Sequence, residues 1–123
     1  MAQQRIVREQ DVQGVSRIPP RVSKLLISEM SVGAKNVSMG VNVTAVGSMI
    51  PEHVHQAEEE AMFIISGQGK LVIEDGKEEY EVKAGTAIFA PPGLKHKIIN
   101  TGNEELKLVW AYSPPLPDHR IKK

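Results

Sequence analysis

His53 and His55 stand two residues apart, Glu60 follows five residues after the second, and His96 closes the run Pro91-Pro92-Gly93-Leu94-Lys95-His96 about forty residues later. Imidazole nitrogen and carboxylate oxygen together suit first-row divalent metal ions, so these residue types point to a metal site drawn from two segments. In a strand, residues i and i+2 share a face roughly 6–7 Å apart, which lets His53 and His55 aim at one point. Glu58, Glu59 and Glu60 are consecutive, and local pattern alone leaves open which of them faces the same way.

The elements that must hold these residues read as short β-favouring runs between turn formers: 24–29, 37–46, 62–65, 70–74, 80–82, 86–90, 96–99 and 106–112. So many strands in one short stretch predict a sandwich or barrel, with no long helix. Asp75-Gly76 can supply the positive φ angles of a tight two-residue hairpin turn. From Val37 to Ala45 apolar residues alternate with Ser38, Gly40, Asn42 and Thr44, the pattern of a half-buried strand. Ala57 to Ala61 reads as a helical turn or a loop. Residues 1–21, with Gly14, Pro19 and Pro20, show no sustained periodicity and form an irregular arm. A body follows over 22–113, and the proline-rich tail 114–123 is expected to wrap the outside.

Two spaced motifs run through the middle of the chain. Gly47, His53, His55, Glu60 and Gly67 fit G-x5-H-x-H-x3-4-E-x6-G, and Gly85, Pro91, Gly93, His96 and Asn100 fit G-x5-P-x-G-x2-H-x3-N. In both motifs the chain resembles the cupin family, specifically its small single-domain members. The resemblance implies an all-β fold, the double-stranded β-helix or jelly-roll barrel, and a homodimer. It also implies that His53, His55, Glu60 and His96 bind one divalent transition metal, with manganese, iron, cobalt, nickel, copper and zinc all compatible. Glu60 is chosen over its neighbours because it alone keeps the six-residue spacing to Gly67.

Met62 and Ile98 share strand parity with Glu60 and His96 and are expected to line the pocket beside the metal. Met39, Met49, Phe63, Phe89, Trp110 and Tyr112 complete the larger apolar candidates for core or wall, and Trp110 and Tyr112 face either a pocket rim or a partner subunit. Glu52, Glu58 and Glu59 could bring a second carboxylate to the site as an acid or base, although each also reads as part of a solvated loop. Asn100 is expected to brace a turn. His119, close to the basic end, reads as an ordinary solvated or core histidine and not as a ligand.

Composition narrows the function further. Fifteen basic residues balance fifteen acidic ones, and a neutral chain without a basic stripe argues against nucleic acid or an anionic membrane surface as partner. There is no cysteine, hence no disulfide framework or thiolate metal site. The polar start shows no signal peptide and no apolar run approaches a membrane span, so a cytoplasmic protein is expected. The resemblance implies a metal-dependent enzyme of dioxygenase, decarboxylase, isomerase or lyase type acting on a small oxygenated molecule. The alternative is a non-catalytic protein that binds or senses a small ligand around a structural metal.

Overall fold

Turn formers divide the chain into ten strands in a computed structural model that describes residues 4–121. They are β1 (Val15–Arg17), β2 (Arg21–Ile27), β3 (Ser38–Thr44), β4 (Met49–His53), β5 (Glu59–Ser66), β6 (Gln68–Ile73), β7 (Glu78–Lys83), β8 (Ala87–Ala90), β9 (His96–Asn100) and β10 (Leu106–Ser113). One sheet has the order β1-β2-β3-β10-β5-β8 and the other β4-β9-β6-β7. The paired strands run antiparallel. The inner faces of the two sheets close on Met62, Ile64, Ile88, Leu106 and Leu108 from the first and Leu71, Val82 and Ile98 from the second. The fold is the all-β double-stranded β-helix. Among the described residues no helix is long and apolar enough to cross a membrane.

Several elements differ from the expectation. The strand expected over 24–29 ends at Ile27, because Ser28 caps a short helix α1 (Glu29–Val32) by accepting from the Ser31 amide at 3.2 Å. Gly33 then ends the helix at φ 76°. Of the segment from Ala57 to Ala61, Ala57 and Glu58 lie in a loop, while Glu59 to Ala61 begin β5 and no helical turn forms. The β6–β7 connection spans residues 74–77 instead of two residues, with Glu74, Asp75 and Gly76 all at positive φ. The irregular arm contains β1 and a 3-10 turn at Glu9–Asp11; residues 1–3 of that arm and 122–123 of the tail lie outside the described residues.

The alternation in β3 faces the other way from a simple apolar-in reading. Ser38, Gly40, Asn42 and Thr44 are the buried face. The interior bulk here comes from β10, whose Trp110 pairs with Gly40 and lays its ring against it; a Cβ at Gly40 would collide with the Lys24 carbonyl and that ring. On the other face, Lys24 and Lys107 both bond Glu9, by its carbonyl oxygen at 3.0 Å and its carboxylate at 2.9 Å. These bonds tie the arm to the face of the sheet on which Val41 is buried. Phe63 and Phe89, read as core or wall candidates, point outward at 45% and 58% exposure. They occupy the odd positions of β5 and β8, opposite in parity to the buried Met62, Ile64, Ile88 and Ala90.

Asn100 closes the end of β9. Its amide NH2 lies 2.9–3.2 Å from the carbonyls of Thr44, Ala45 and Glu104, while its Oδ1 accepts from the Gly102 amide at 3.0 Å. Two hydrogens serve three acceptors, so one bond is shared. The side chain thus ties the connection after β3 to the one after β9 and takes no part in the metal cluster.

Candidate metal centre

The four candidate ligands arrive from both sheets. His53 ends β4 and pairs across the ladder with His96, the first residue of β9. Glu60 faces them from β5. His55 lies just beyond β4, so the shared strand face expected of His53 and His55 is replaced by a loop; Gly93 pins that loop by donating its amide to the His55 carbonyl at 2.8 Å. One ligand atom from each of the four residues falls within 4.8 Å of the others.

The orientation of the rings is set by the backbone. His53 Nδ1 donates to the Pro51 carbonyl and His96 Nδ1 to the Leu94 carbonyl, both at 2.9 Å, since a carbonyl can only accept. Each ring therefore turns Nε2 inward. Glu60 Oε1 lies 2.9 Å from His96 Nε2, 3.4 Å from His53 Nε2 and 3.6 Å from His55 Nε2. His55 Nε2 is buried without a hydrogen-bond partner. Neutral imidazoles so arranged would bring lone pairs against a carboxylate oxygen, which is favourable only with a proton or a cation among them. This donor set fits a divalent metal ion, and three histidines with one carboxylate match the borderline first-row metals.

Titration follows from the same contacts. Burial opposes ionisation of Glu60, but hydrogen bonds from His53 and His96 outweigh it and hold the carboxyl down at about 2. Burial also disfavours the His53 imidazolium, yet the bonds to Glu60 and Pro51 and the Glu60 charge raise it above 6.5. Burial and the neighbouring His53 push His55 below 6.5. A metal needs neutral imidazoles and an ionised carboxylate. Glu60 is ionised over the whole working range, whereas protons compete with a metal at His53, whose value is raised. Metal uptake will accordingly strengthen as pH rises, by about tenfold per pH unit for each displaced proton below the His53 value, and level off above it. Titration calorimetry across buffers from mildly acidic to mildly alkaline checks this, and a flat profile would contradict it.

His53, His55 and Glu60 line a cavity of about 560 Å³, and His96 is buried behind them. Met62 and Ile98 line it with Leu108, and Trp110 and Tyr112 continue the wall. Of the three uncertain glutamates, Glu52 reaches the cavity. Glu59 is exposed on the outward side of β5, and Glu58 is buried, contrary to the solvated loop expected for it, without joining the four donors. Burial, with the Glu60 charge beside it, raises the Tyr112 phenol above its ordinary value, so it keeps its proton.

His119 is the main departure. It lines the cavity, its ring stacked on Trp110 at 5.3 Å and its Nδ1 2.8 Å from Ser38 Oγ. The tail therefore closes part of the cavity with Leu116, Asp118 and His119 instead of wrapping the outside. Arg17, Arg21, Ser23 and Asn42 also face the cavity, and none of them stood out in the sequence. For Asn42 the polar side of an alternating strand was the available signal; for His119 and the arginines there was none, because only chain packing brings them here.

Comparison with known proteins agrees with this geometry. A family model described as a cupin domain matches residues 41–112. An uncharacterised protein of Methanocaldococcus jannaschii is 35% identical over 76% of this chain and 73% of its own length. A Streptomyces cyaneus protein named polyketide synthase CurC is 29% identical over 76% of this chain, which spans only 60% of that protein. The solved structure of the polyketide cyclase RemF from Streptomyces resistomycificus superposes with a TM-score of 0.79 at 22% identity, covering 93% of this chain and 82% of that one. With more than half of the chain matched by the family model, and both motifs delivering their histidines and glutamate to one point, this protein belongs to the cupin family.

Proposed function

We propose that this protein is a metal-dependent enzyme acting on a small oxygenated molecule, with His53, His55, Glu60 and His96 as the metal ligands. The observation that carries this reading is that three of the four converging donors, His53, His55 and Glu60, line an open cavity, with His96 buried behind them. A divalent ion held there would act as a Lewis acid for a carboxylate, enolate or diol and offset developing negative charge.

The chain's own residues prepare the rest. The Pro51 and Leu94 carbonyls keep the His53 and His96 rings from swinging. Met62, Ile98 and Leu108 form a dry wall beside them, which strengthens electrostatic contacts in the cup. Tyr112 retains a proton and offers an O–H donor. Burial holds His119 below its ordinary value despite Asp118, so near neutral pH it is an uncharged imidazole on the cavity wall, suited to accept a proton from substrate. Likeness to proteins named for polyketide synthesis and cyclisation supports an enzyme over a passive binder.

The test strips the protein with a chelator, reloads it with one metal at a time, and assays small carboxylic acids, diketones and sugar acids. Turnover should vanish on chelation, return with one metal and be lost in His96→Gln. Tight metal with no turnover and no exchangeable coordination position would favour the alternative, a ligand-binding cupin with a structural metal.

A further inference from the structure

We propose that Arg17 and Arg21 form an anion subsite on the cavity wall, and that the natural substrate is a small dicarboxylic acid with one carboxylate toward the metal ligands and the other on these arginines. The inference deepens the reading of the cavity as a metal-dependent active site and rests on it.

The two arginines face each other in the β1–β2 ladder, Arg17 opposite Arg21, and both line the metal cavity. Like charges directly opposite in an antiparallel pair are unfavourable. Among the described residues neither guanidinium has an ion pair, although Glu52 and Asp118 line the same cavity. Arg21 is held in place by donating from Nη1 to the Pro19 carbonyl at 3.0 Å, which leaves most of its planar fork for a ligand. Burial and the Arg17 charge lower the Arg21 guanidinium from its ordinary value. Ser23 and Asn42, bonded to each other at 3.2 Å, lie beside the pair and offer polar atoms to a bound oxygen. An anion bridging the guanidiniums would relieve their repulsion and accept charge-assisted hydrogen bonds in a half-enclosed site.

The test is calorimetric titration of the metal-loaded protein with malonate, succinate and glutarate, each set against the monocarboxylate of the same chain length. At least one diacid should bind about tenfold or more tighter than its monoacid, and Arg21→Gln and Arg17→Gln should each reduce that preference with the monoacid left within about twofold. Metal content and the thermal midpoint should not change in these variants. Equal binding of diacids and monoacids by the unaltered protein would overturn the proposal, as would a diacid preference that survives both substitutions. Titration of the metal-free protein separates the two readings. A diacid preference that persists there and is lost in Arg21→Gln supports the subsite by itself, whereas failure of the protein to take up any metal overturns the metal centre alone.

Discussion

Glu60→Gln will cost about a hundredfold or more in metal affinity, while Glu59→Gln will leave it unchanged. Glu60 is the only carboxylate in the four-donor cluster, and its Oε1 lies within 3.6 Å of all three inward nitrogens. Glutamine keeps the size and one carbonyl oxygen but removes the negative charge that a divalent ion needs in a buried site. A second effect runs the other way. Without the Glu60 charge, His53 loses much of what raises it, so protons compete less at low pH. The comparison therefore belongs at mildly alkaline pH, where protons compete least with the metal. Metal content after dialysis, together with calorimetric affinity, reads the result. Full occupancy in Glu60→Gln, or a matching loss in Glu59→Gln, would show that the assignment within the three glutamates is wrong.

Ile64→Ala should destabilise the fold by about 3 kcal/mol and lower the melting midpoint by on the order of 10 °C. Ile64 has no exposed surface and packs in the cluster with Met62, Ile98 and Leu108. Its amide donates to the Thr86 carbonyl and its carbonyl accepts from the Gly85 amide, both at 2.9 Å, so the backbone cannot easily shift to fill the space. The next residue back provides the contrast. Phe63 loses a larger side chain on substitution, yet it stands on the outer face at 45% exposure, and Phe63→Ala should cost about 1 kcal/mol or less. Thermal and denaturant unfolding of both variants decide the matter. A Phe63 effect equal to that of Ile64 would mean that the inward and outward faces of β5 are assigned the wrong way round.

That pair of residues also shows where sequence reasoning stops. The alternation Glu60, Met62, Ile64 correctly marks one face of β5, because side-chain direction in a strand is a local property with a period of two. Hydrophobicity by itself does not say which face lies inside. Phe63 and Phe89 read as core or wall candidates on size, and Ser38, Gly40, Asn42 and Thr44 read as the wet side of β3, yet the six-stranded sheet turns the former out and the latter in. The interior at β3 is already filled by Trp110 and its neighbours from β10, and the facing strand must be small there.

The sequence by itself determined the all-β class, the two spaced motifs and the four converging residues, since each depends on residue type and on separations along one or two strands. Tertiary structure alone decided how His55 is held, which outer surfaces are covered, and what completes the cavity. Arg17 and Arg21 come from a hairpin in the supposed arm, and His119 comes from the tail to stack on Trp110. Such neighbours meet because sheets and termini pack across the barrel, and a contact such as that of His119 with Ser38, 81 positions away, leaves no periodic trace in the chain.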